Sequence, residues 1–127
     1  MVIKKIFFNR GFILFNHFIF HKFYLIFAIF YFKMDKETTD FYERLRLELN
    51  NNTSWPSKYL FKFIVSNDQH KIDIVENAFN NMGAVIDTRQ SKTGKYTSIS
   101  INVQMQEAQN IIDKYQELST VEGIISL

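Results

Sequence analysis

The chain has 127 residues, no cysteine, and a formal net charge of +2 from 15 basic and 13 acidic residues. The absence of cysteine excludes disulfides, thiolate catalysis and Cys-type zinc sites. The charge is laid down unevenly: residues 1–33 carry Lys4, Lys5, Arg10, Lys22 and Lys33 and no acid, whereas the sequence from Met34 onward is net acidic. A pI near 8.8 is therefore no argument for nucleic-acid binding.

Residues 1–33 also hold ten of the 14 Phe, and three readings are open for them. A secretory signal fits poorly, because the run ends Ile29-Phe30-Tyr31-Phe32-Lys33 without small residues at a cleavage site. A membrane anchor over residues 12–32 has about the ~20-residue length that spanning needs, but Asn16, His17, His21 and Lys22 interrupt it. Phe, Ile, Lys, Asn and Tyr are what A/T-rich codons yield, so an upstream start called too early is the third reading, with Met34 opening the protein proper. The expectation is accordingly a cytoplasmic chain beginning at Met34. A membrane-anchored form is the alternative, and it requires residues 1–33 to be translated.

Residues 34–54 follow as a helix and an Asn-rich linker. Phe41, Leu45 and Leu49 repeat at helical spacing over 37–49, and Asp40 stands three residues before Glu43 as in a capping box. Asn50-Asn51-Asn52-Thr53-Ser54 reads as a breaker, and Pro56 bars a helix and holds Trp55 extended. The domain proper spans 55–127. Tyr59 to Ser66 alternates as a strand with Tyr59, Phe61, Phe63 and Val65 on one face. Asn67-Asp68 caps a helix carrying Ile72, Val75, Phe79 and Met82, and Gly83 stops it. Ala84 to Gln90 is a strand, Ser91 to Gly94 a turn, and Lys95 to Gln104 a strand with Thr97, Ile99, Ile101 and Val103 facing inward. Residues 106–118 form a second amphipathic helix, and Val121 to Leu127 closes as a strand.

The predicted fold is α+β: a ferredoxin-like βαββαβ unit, with a four-stranded antiparallel sheet covered on one face by two helices, preceded by an extra helix and the apolar leader. The uncovered face would present Leu60, Lys62, Ile64, Asp87, Arg89, Tyr96, Ser98 and Ser100. Such an amphipathic face commonly binds something.

Trp55-Pro56, Tyr59, Phe61-Lys62-Phe63-Ile64, the hairpin Ser91-Lys92 with Gly94-Lys95-Tyr96-Thr97-Ser98-Ile99-Ser100-Ile101, and then Tyr115, Leu118 and Val121 together resemble the YbeD-like family of small bacterial proteins. The resemblance covers about Trp55 to Leu127, with Trp before Pro56 where Phe is usual. It implies a cytosolic domain similar to ACT regulatory domains, some members of the family being labelled lipoate regulatory proteins. It implies no known catalytic centre and no ligand.

Catalytic chemistry is hard to find in the residues themselves. His70, beside the cap at Asp68, reads as a first-turn surface residue rather than a general base. His17 and His21 stand at i, i+4 but have no accompanying acidic or Cys ligand. Ser91, Ser98 and Ser100 have no neighbouring base, and Gly94 lacks the second Gly and following helix of a phosphate loop. A nucleic-acid-binding domain is the alternative reading, and against it the third strand offers Tyr96 and then Ser98 and Ser100 in place of the aromatic RNA-recognition consensus. No enzyme, cofactor or metal is expected. The candidate binding residues are Lys62, Arg89, Ser91, Lys92, Lys95, Tyr96 and Ser98, whose cations could capture a carboxylate or phosphate. The expected occupants are a protein partner, a small anionic ligand or a second copy of the chain.

Overall fold

In the computed structural model, which describes residues 3–4 and 19–127, the alternating segments become paired strands. The elements run β1 (Ile3–Lys4), α1 (Ile19–Asn52), β2 (Ser57–Ser66), α2 (Gln69–Asn77), β3 (Val85–Gln90), β4 (Tyr96–Met105), α3 (Ala108–Leu118) and β5 (Ile125–Ser126). Four of the strands form an antiparallel sheet in the order β5-β2-β4-β3, and β1 adds to the outer side of β5. β2 and β4 pair along their full lengths, from Ser57 opposite Met105 to Ser66 opposite Tyr96. No strand is expected from the sequence at residues 3–4.

The period-2 patterns decide which face is buried. Phe61, Phe63, Val65, Ile99 and Ile101 are fully buried, and Thr97, Val103 and Met105 nearly so. Removing each of the larger apolar side chains from water stabilises the fold by about 1.5–3 kcal/mol. Phe61 sits at the centre of an aromatic cluster, its ring 4.7 Å from Tyr59, 5.0 Å from Phe79 and 5.3 Å from Tyr115, centroid to centroid. Val75 and Phe79 come down from α2 and the segment after it, and Ile111, Ile112, Tyr115 and Leu118 from α3.

α2 opens where expected: the Asp68 side chain accepts the His70 backbone N–H at 2.9 Å, satisfying one of the donors that a helix start leaves free. It ends earlier than expected, at Asn77. Residues 78–83 are turns, with Asn81 and Gly83 both in the left-handed region, at φ 61° and 68°. Phe79 still reaches the core from this turn segment. The closing strand is likewise reduced to Ile125–Ser126, because turns occupy Ser119 to Gly123 and Val121 and Ile124 are buried from there.

The N-terminal helix departs most from expectation. It runs unbroken from Ile19 to Asn52, since this span contains neither Pro nor Gly to interrupt it. Asp40 is therefore not a cap: its carbonyl lies mid-helix and accepts from Arg44 Nε at 3.4 Å. Asn50 to Asn52 are the last helical turn rather than a linker, and Asn50 Oδ1 accepts the Trp55 indole N–H at 3.0 Å. Tyr42 and Leu45 are buried in the common core, Phe41 and Leu49 pack beside them, and α1 rests on α3. The helix layer thus contains three helices rather than the expected two. From Tyr24 to Phe32 the same helix is exposed on every side, with Tyr24, Leu25, Ile26, Phe27, Ile29, Phe30, Tyr31 and Phe32 each more than half accessible. Among the described residues no helix is long and apolar enough to cross a membrane. His17 and the first part of the apolar run lie outside the described residues.

Candidate functional site: the open sheet face

The face of the sheet opposite the helices is a grid whose rows are set by strand register. One row crosses three strands as Lys62, Ser100 and Asp87, and Leu127, the residue after β5, joins it through its backbone N–H, which donates to the Lys62 carbonyl at 2.9 Å. The next row is Ile125, Ile64, Ser98 and Arg89, and a third is Leu60, Asn102 and Val85. Val85, Leu60, Tyr96 and Leu127 are 72%, 58%, 52% and 41% exposed, so apolar side chains surround the polar centre.

Within the grid the cations differ. Arg89 is held by its own strand neighbour, with Nε 3.0 Å from Asp87 Oδ2 in a solvent-exposed pair. An exposed pair of this kind contributes little to stability. Lys62 is exposed, faces Ser100, and has no ion-pair partner among the described residues. Asp87 stands two strands away from it, about 10 Å at the usual strand spacing.

The remaining predicted site residues belong to the hairpin end. Ser91 shapes the turn: its N–H donates to the Tyr96 carbonyl at 2.8 Å, its Oγ accepts the Tyr96 N–H at 3.2 Å, and the Thr93 hydroxyl lies 3.3 Å away. Gly94 takes φ 72°, a conformation that suits glycine, and its N–H donates to the Ser91 carbonyl at 2.9 Å. Lys92 and Lys95 are exposed in this turn, and the Lys95 carbonyl accepts the Asn67 N–H. Tyr96 faces Ser66, and the Ser98 hydroxyl donates to the Arg89 carbonyl at 3.4 Å.

Register therefore does not gather the four cations. Lys62 pairs with Ser100, which is five residues along β4 from Lys95, or about 17 Å. Lys62, Ser98, Arg89 and Asp87 share the central grid; Lys92 and Lys95 sit beyond its end. Asn102 alternates onto this face with Tyr96, Ser98 and Ser100, as the pattern of that strand predicts, whereas Val85, Ile125 and Leu127 belong to the face and were not anticipated. The period from Asp87 back to Val85 carries that signal for one of them. Nothing local carries it for the two-residue β5.

Two other polar features are less suited to binding. A cleft of about 280 Å³ between Met82, Gln104, Asn110, Asp113 and Lys114 is open to solvent on one side, and its lysine is already engaged. Lys114 Nζ donates to the Ala78 carbonyl, lies 2.9 Å from Glu117 Oε2 and sits 5.3 Å over the Phe79 ring. In the core the Tyr59 and Tyr115 hydroxyls share a hydrogen bond of 2.8 Å. Burial, reinforced by that bond, raises the Tyr115 hydroxyl well above the usual phenol range, so it stays protonated and is no base at neutral pH. Among the described residues no three His, Cys, Asp or Glu side chains cluster as metal ligands.

Residues 50–127 match a family described as a protein of unknown function, DUF493. The chain belongs to that family. The matched span begins in the last turn of α1 and takes in the whole four-stranded sheet with α2 and α3. No curated protein and no solved structure matches the chain.

Proposed function

We propose that the chain is a non-catalytic interaction or regulatory module that takes a protein partner or small ligand bearing negative charge on its open sheet face. The observation that carries this reading is Lys62, a cation with no acidic partner among the described residues, framed by exposed Leu60, Val85 and Leu127 on a sheet face that no described element covers. A carboxylate or phosphate at Lys62 would also meet the Ser100 hydroxyl, while an apolar portion of the same molecule lay on the flanking side chains. The order β5-β2-β4-β3 places the first strand of the βαββαβ unit between its third and fourth, which supports a ferredoxin-like core and, with the hairpin motif, a YbeD-like and ACT-like character. Within this reading the module works in the cytoplasm, as the family resemblance implies. The test is a titration of the full chain with inorganic phosphate and citrate, followed by amide chemical shifts. Shifts centred on Leu60 to Ile64 and Ser98 to Asn102, lost in Lys62→Ala, are expected. Responses confined to the helical face, or unchanged in Lys62→Ala, would sink the reading.

A membrane-associated form of the same module is the second reading. It is favoured by Tyr24 to Phe32, where consecutive apolar side chains point to all sides of α1. A partner helix covers one stripe, whereas a lipid phase covers the whole circumference. Lys22 and Lys33 bracket the run, and the leader contains no acid to oppose an anionic surface.

A further inference from the structure

The outer edge of β3 has a property distinct from the open face. Ser91 N–H donates to the Tyr96 carbonyl, and in the same register Arg89, Asp87 and Val85 lie opposite Ser98, Ser100 and Asn102. By the alternation of antiparallel ladders, these odd positions turn their backbone groups toward β4. Ile86, Thr88 and Gln90 then turn their N–H and C=O groups outward, and no described strand or backbone bond meets them. The edge has no proline, no lysine and no bulge of the kind that blocks pairing.

We propose that this edge is a self-association site, where β3 pairs antiparallel with β3 of a second copy about a two-fold axis at Thr88. With the axis there, Thr88 meets Thr88 of the second copy, and Ile86 meets Gln90. Every hydrogen-bonded pair is then drawn from the positions whose backbone groups already point outward. On the open-face side Asp87 lies opposite Arg89 of the second copy, and Arg89 opposite Asp87, in the non-hydrogen-bonded pairs where side chains approach most closely. The internal Asp87–Arg89 contact, exposed at 3.0 Å, can exchange for these pairs without burying an unpaired charge. Register is specified as well. Moving the axis to Asp87 sets aspartate against aspartate, and moving it to Arg89 sets arginine against arginine. Both slips keep the outward backbone groups in register and oppose like charges, so charge selects the Thr88 axis. The product is one continuous sheet that brings two open faces side by side. Asp87 and Arg89 belong to the open face as well as to this edge, but Lys62 lies two strands away on β2, so self-association through β3 and ligand capture at Lys62 are read out independently.

The test is sedimentation velocity of the full chain over a concentration series at low salt, with Asp87→Arg, Arg89→Asp and the double exchange. Each single reversal turns both symmetry-related attractions into repulsions and is expected to raise the dimer Kd about tenfold or more. The double exchange restores the pairing and is expected to return Kd to the range of the original chain. Thr88→Pro, which removes the outward N–H on the axis while sparing the bonds to β4, is expected to abolish the dimer. Circular dichroism melts establish that each variant is folded. A chain that stays monomeric throughout overturns the proposal. So does a dimer indifferent to both reversals, as association through α1 or the open face would be, or a double exchange no tighter than the singles. Loss of the phosphate response in Lys62→Ala is read separately and does not bear on this outcome.

Discussion

Leu60 and Phe61 are neighbours on β2 with opposite surroundings, and substituting each in turn tests whether the proposed binding face is free of structural duty. Phe61 is fully inaccessible and contacts the rings of Tyr59, Phe63, Phe79 and Tyr115. Phe61→Ala removes those contacts and leaves a cavity in the middle of the cluster, at a cost of about 3–5 kcal/mol. Small domains have total stabilities of about 5–15 kcal/mol, so this variant should be close to unfolded. Leu60 is 58% exposed and faces Asn102 across β4. Leu60→Thr keeps a strand-favouring side chain and should change stability by no more than about 0.5 kcal/mol. In urea, with a slope of about 1–2 kcal/mol per molar, Phe61→Ala should lower the midpoint by at least about 1.5 M or eliminate the folded baseline, while Leu60→Thr moves it by no more than about 0.5 M. Comparable losses in both variants would mean that the face is covered and the assignment of inside and outside wrong. A near-neutral Phe61→Ala would refute the packing argument itself.

Two further outcomes follow from particular groups. The Tyr115 hydroxyl is raised by burial and by its bond to Tyr59, whereas in the unfolded chain it titrates near 10. Its contribution to stability is therefore fully present below about pH 10 and is lost as pH rises further, because the unfolded state releases a proton that the folded state keeps. Between about pH 10 and 12, the unfolding free energy obtained from denaturation curves should fall with a slope of up to about 1.4 kcal/mol per pH unit from this tyrosine, and Tyr115→Phe should flatten that part of the profile. If Tyr115→Phe leaves the alkaline slope unchanged, the buried hydroxyl is not its source. For the exposed run of α1, co-sedimentation with vesicles containing anionic lipid should exceed that with neutral vesicles and be lost when Phe27 and Phe30 are both replaced by Ser. Retention by the doubly substituted chain would place the lipid contact elsewhere.

The local pattern was enough to read strands at Tyr59–Ser66 and Lys95–Gln104, observed as Ser57–Ser66 and Tyr96–Met105, together with the cap at Asp68 and the hairpin at Gly94, because each depends on near neighbours. Alternation puts Phe61 and Ile99 on one face and Lys62 and Ser98 on the other whatever the rest of the chain does, since strand side chains have a period of two. A capping carboxylate needs only a backbone N–H two residues away. The limits of α2 and the closing strand depended on where Phe79, Val121 and Ile124 could find the core, and they reach it from turns. Asp40 has the spacing of a cap but lies inside a longer helix, because a capping box marks a start only where the preceding residues leave the helix.

In β2 and β4, which side chains are inside and which outside was thus determined by the sequence alone. The identity of neighbours across the sheet was decided by the tertiary structure. Register placed Lys62 beside Ser100 and about 17 Å from Lys95, brought Leu127 into the row of Lys62, and left β3 with an open edge. These are relations between segments far apart in the chain. No periodicity within one segment encodes them, because they arise only when the aromatic core formed by Phe61, Phe79 and Tyr115 closes and sets each strand against its partner.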